Sequence, residues 1–321
     1  MKRAFFAAIA ALLFAQAAGA DVDSLSRLFV PGKAVLDLDG DGFPEKPALT
    51  VIIPDRPTAG ELALAADIAA RTNFESLAVD FGLVRRESEV SGTSPLPLPI
   101  LIGTNLAWVR EAAKERGLDF GSLGPNQGRV FLFTRKGQSG IACVAGSDEA
   151  LLKTGRAFFL RWPYFWEVWG REAGATYQGL EKDLAAFMTA AGVDLQKTIV
   201  REALYEFPAA PPVSDGLNVL SFDQGQIVDL SVEVHFAAEA DRLKAQDALL
   251  VLARGQRRGD RTEVLSYPAC AALTFELCCG ESRSQVVLPR TGATKRLLTP
   301  GFKERPGADV AGKEFDLLGL Y

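Results

Sequence analysis

The chain has one histidine, His235, in 321 residues, with two methionines and four cysteines. A Ser-His-Asp or Cys-His catalytic set would have to be built on that one imidazole. His235 alternates with apolar residues two positions from Glu233, as expected for a solvated histidine on the wet face of a strand. The chain also lacks a G-x-S-x-G elbow, a G-x-G-x-x-G turn and a P-loop, which removes the local signatures of the α/β-hydrolases and of nucleotide binding. No pair among Cys143, Cys270, Cys278 and Cys279 has C-x-x-C spacing, and a histidine-poor chain cannot make the usual zinc site. The four cysteines read as small buried apolar residues, with one bridge from Cys270 to Cys278 or Cys279 as the alternative. There is no excess of basic residues, and beyond the first 20 residues no apolar run is long enough to span a bilayer.

Those first 20 residues have the order of a secretory leader. Lys2 and Arg3 are basic, Ala4 to Ala17 is apolar, and Ala18-Gly19-Ala20 supplies small residues for cleavage. The expected location is periplasmic or extracellular. Loss of Lys2 and Arg3 leaves 33 basic against 40 acidic residues, a formal charge of −7. That charge disfavours nucleic acid or an anionic membrane as a partner.

Hydrophobic periodicity then predicts the class. Leu49 to Ile53 is a buried strand, Thr58-x-x-Glu61 is a capping box before a helix at 62–71, and Leu77 to Phe81 reads as a second strand. Ile100 to Ile102, Val130 to Phe133 and Ile141 to Ala145 follow as strands. Gly103-Thr104-Asn105 and Gly146-Ser147-Asp148 turn into helices at 106–116 and 149–160, and a further helix spans 177–191. Strands alternating with helices give an α/β fold, a mostly parallel sheet flanked by helices, with ligands expected at the strand ends. Residues 207–216 are rich in proline and mark a boundary. Beyond it Val228, Leu230, Val232, Val234 and Phe236 alternate with polar residues. A helix at 240–252 and strands at 263–267, 272–277 and 285–288 complete a smaller α+β domain. The expected organisation is leader 1–20, entry segment 21–48, α/β domain 49–206, linker 207–216, smaller domain 217–300 and tail 301–321. The tail, ending on an apolar run, reads as the start of a truncated further region.

Two segments carry candidate chemistry. Asp37, Asp39, Asp41 and Glu45 fall at positions 1, 3, 5 and 9 of a calcium loop, with Gly42 at the sharp turn and the Phe43 carbonyl at position 7. Ala48 stands where position 12 normally places a bidentate Glu. The second segment, 161–172, gathers Trp162, Trp166 and Trp169. Their helical spacing suits a core stripe. The same rings, with Arg161, Tyr164, Glu167, Arg171 and Glu172, suit the rim of a sugar site, and Glu167 with Glu172 would be the carboxylates of a glycosidase.

The acidic run resembles the D-x-D-G-D-G loops of dockerin, thrombospondin-type and integrin-type repeats, which implies Ca2+ as the ion. Residues 49–157, through Ile100 to Asn105 and Val144 to Asp148, resemble the α/β accessory domain that precedes the catalytic barrel of several glycoside hydrolases. They also resemble the domains of the periplasmic cellulose synthase regulatory subunit. The resemblance transfers no catalytic residue. It implies a non-catalytic secreted module, the N-terminal part of a larger extracytoplasmic protein, that supports or binds polysaccharide or another cell-envelope component. The alternatives are a glycoside or peptide hydrolase acting through Glu167 and Glu172 or through residues past 321, and a cell-surface structural protein. N-terminal sequencing of exported material is expected to begin at Asp21; cytosolic protein that still starts at Met1 would overturn the localisation.

Overall fold

The computed structural model describes residues 22–30, 32–41, 43–90, 96–160, 175–207, 226–255 and 270–289. The elements in chain order are β1 (Val35–Leu36), β2 (Lys46–Pro47), β3 (Leu49–Ile53), α1 (Ala59–Phe74), β4 (Val84–Arg86), α2 (Glu87–Val90), β5 (Leu98–Ile102), α3 (Ala107–Arg116), β6 (Gln127–Arg135), β7 (Gln138–Ala145), α4 (Asp148–Phe159), α5 (Ala175–Ala190), β8 (Lys197–Glu206), β9 (Gln226–His235), α6 (Glu239–Gly255), β10 (Cys270–Cys279) and β11 (Ser282–Pro289). Strands β3 to β11 form one nine-stranded sheet in the order β11-β10-β9-β8-β6-β7-β5-β3-β4, and β1 pairs with β2 apart from it. The α/β class is as expected. Pairing is parallel across β4-β3-β5-β7 and at β9-β10. It is antiparallel through β7-β6-β8-β9 and at β10-β11. The strands beyond the proline-rich 207–216 run extend the sheet that precedes it.

One face of the sheet is apolar along its whole width. Val51, Ile100, Val130, Cys143, Val200, Val232 and Phe275 lie in a single buried cluster with Leu64 and Ile68 of α1, Phe158 of α4, Leu184 of α5 and Leu249 of α6. The other face is apolar over one half only, where Ile52, Leu101, Phe131 and Val144 pack under Trp108, Val109 and Ala112 of α3. On β8, β9 and β10 the residues alternating with the core are Glu202, Asp229, Ser231, Glu233, His235, Thr274 and Glu276, in lateral register. Antiparallel sheets commonly carry one such polar face.

Three local differences from the sequence reading have physical causes. Residues 77–81 are a loop, and the edge strand is β4. Asn73 Oδ1 accepts from Asp80 N at 2.8 Å, Asp80 Oδ1 accepts from Gly82 N at 2.7 Å, and Ser76 Oγ donates to the Ala78 carbonyl at 2.8 Å. Such side-chain bonds compete with a ladder. Strand β8 has no regular alternation in the sequence, because a bulge between Val200 and Glu202 puts Arg201 and Glu202 on the polar face in succession. A second shift at Leu204/Tyr205 sets Ile227, rather than Val228, in the core.

A Cys270–Cys278 bridge is ruled out by the strand that carries both residues. They lie at opposite ends of β10, roughly 26 Å apart at about 3.3 Å per residue, against a limit of about 7 Å between Cα atoms. Cys143, Cys278 and Cys279 are free thiols.

Phe131 is fully buried, with the Phe120 ring 5.9 Å away and the Arg116 guanidinium 5.4 Å from its ring centre. Phe131→Ala is expected to cost about 3–5 kcal/mol in denaturant unfolding. Phe81, 96% exposed, is expected to tolerate alanine within about 0.5 kcal/mol. Equal losses at the two sites would contradict this packing.

Candidate metal centre

The entry segment reaches the body of the protein before it forms the acidic loop. Val22, Leu25, Leu28, Ala34 and Val35 are buried in the main core. Ser24 and Ser26 each donate a hydroxyl to Glu181 Oε1 at 2.6 Å, and Val200 N donates to Ser24 Oγ at 2.9 Å. The chain then makes the β1-β2 hairpin, with Val35 opposite Pro47 and Leu36 opposite Lys46. Glu45 N to Leu36 O at 2.8 Å and Ala48 N to Ala34 O at 2.7 Å extend the ladder. Position 12 of the loop, Ala48, is therefore part of the hairpin frame. A helix-loop-helix would have placed its last ligand there.

Between the strands the aspartates fold the loop onto themselves. Asp37 Oδ1 accepts from Gly40 N at 2.7 Å, Asp39 Oδ1 from Asp41 N at 3.1 Å, and Asp41 Oδ1 from Phe43 N at 2.8 Å. Glu45 Oε2 accepts from Leu38 N. Gly40 has a φ of +80°, which an L side chain would strain. The result gathers one carboxylate oxygen from each of Asp37, Asp39, Asp41 and Glu45 within 4.8 Å of one another. Two unit charges about 4 Å apart repel by about 1 kcal/mol even in water, and a cation among the four carboxylates would reverse that term. Every side-chain donor is oxygen, which suits a hard divalent ion. The far side of the loop is braced by Leu77 N to Pro44 O and Ala78 N to Glu45 O, both 2.9 Å.

The strand ends, the usual ligand position of an α/β sheet, are filled by the protein's own groups. Glu87 accepts from Ala107 N and Trp108 N at the start of α3, at 3.1 and 3.2 Å. Asp148 accepts from Thr58 Oγ1 at 2.8 Å and from Gly60 N at 3.1 Å at the start of α1. These are the N–H groups and positive helix ends that would otherwise attract an anion. Gly103 and Gly146 are packing residues. A Cβ on Gly103 would lie 1.9 Å from Glu61 Oε1, and one on Gly146 would lie 2.2 Å from the Gly124 carbonyl. Burial, together with the nearby charge of Asp148, pushes the Glu61 carboxyl above its ordinary value despite the opposing Thr58 hydrogen bonds.

His235 is partly covered rather than freely solvated, with Nε2 3.3 Å from Glu233 Oε2. Arg161, Trp162, Tyr164, Trp166, Glu167, Trp169, Arg171 and Glu172 lie outside the described residues. Among the described residues no helix is long and apolar enough to cross a membrane. No protein-family model matches the chain, and no curated protein is significantly similar to it.

Because folding raises the Glu61 pKa, its contribution to stability is full below the unfolded value near 4.5 and is lost as pH rises through the folded value. Glu61→Gln keeps an oxygen for Thr58 N and removes the titration. Its melting temperature is expected to gain on wild type as pH is raised from 4 towards 7. Parallel pH profiles for the two proteins would contradict the buried carboxyl.

Proposed function

We propose that this protein is an exported, non-catalytic α/β module that takes Ca2+ at its entry hairpin and supports or binds polysaccharide at the cell envelope. The observation that carries the ion is the convergence of Asp37, Asp39, Asp41 and Glu45 within 4.8 Å on a hairpin fastened to the main core. The Phe43 carbonyl would complete the set from the same turn. Without a carboxylate at position 12 the affinity should be that of extracellular modules, on the order of 10⁻⁴–10⁻³ M. Mg2+ demands a tighter octahedron and gives up its water reluctantly, so a loop of this kind favours the larger ion. Polysaccharide as the partner rests on the resemblance of residues 49–157 to carbohydrate-associated domains and on the aromatic segment 161–172.

Calorimetric titration of the mature chain with millimolar Ca2+ is expected to give heat that disappears in Asp39→Ala. The melting temperature should rise by the equivalent of about 1 kcal/mol when calcium exceeds its dissociation constant several-fold. No heat, with identical melting in calcium and in chelator, would leave an acidic turn without an ion. A glycan array tests the partner separately: binding lost in a folded Trp166→Ala protein supports polysaccharide recognition, and an array without signal overturns it.

A further inference from the structure

We draw no further inference here: the strongest candidate, the exposed apolar surface patch of Leu77, Val79 and Phe81 on the loop that braces the entry hairpin, carries nothing, because nothing in the structure shows what covers it.

Discussion

The pairing of β8 with both β6 and β9 is the constraint on which the rest of the structure depends. On one side of it lie the strands β3 to β7 with their crossover helices; on the other lie β9, α6, β10 and β11. Because β8 is antiparallel to both neighbours, it joins two parallel-stranded regions into one sheet and makes the helix-covered core continuous from Leu49 to Leu288. It also receives the chain's entry: Val200 N is held by Ser24, whose hydroxyl reaches Glu181 on α5. The acidic hairpin is thus anchored, through the entry segment, to the strand that unites the fold.

The polar side of β8 explains where helical cover stops. Glu202 lies between Arg116, at the end of α3, and Arg129 of β6, at 2.9 and 3.0 Å, and all three are largely buried. Arg116 also donates to the Leu132 carbonyl at 3.2 Å and stacks on Phe131. A partly buried ion triad of this kind adds little net stability over apolar packing, but loss of one member leaves an uncompensated charge. It forms the line between the dry half of the face under α3 and the wet half over β9 and β10. The bulge at Arg201 belongs to the same arrangement, because it gives one strand two consecutive charged side chains on the same side, one for each half.

The elements legible in the sequence are those whose signal is local. The buried run Leu49–Ile53, the Thr58/Glu61 capping box and the Ser147 cap of α4 each declare themselves within a few residues, and so does the acidic loop, whose four carboxylates fall at positions 1, 3, 5 and 9 of one hairpin. Alternation misleads at Leu77, Val79 and Phe81 because two main-chain bonds to the entry hairpin and a set of side-chain hydrogen bonds, not a sheet ladder, take the polar groups there. It fails at β8 for the opposite reason: a real strand whose bulge hides its period. The proline-rich 207–216 run reads as a domain boundary, yet the strands on either side of it pair, a choice made by register and burial across distant segments.

The acidic residues of this protein sort by what neutralises them, and that sorting separates scaffold from site. At the strand ends, Glu87 and Asp148 satisfy helix N-termini, so the positive potential a phosphate would seek is already answered. Across the sheet, Glu233 and Glu276 are each matched with one arginine and Glu202 with two. In the hairpin, Asp37, Asp39, Asp41 and Glu45 accept from backbone N–H groups of their own loop and converge on one another. Backbone donors fix the geometry of this group within a few residues of one hairpin. Among the described residues this hairpin alone brings three or more such groups within 4.8 Å of one another, and because Ser24 of the entry segment accepts from Val200 N, the acidic cluster and the central strand of the sheet share one anchor.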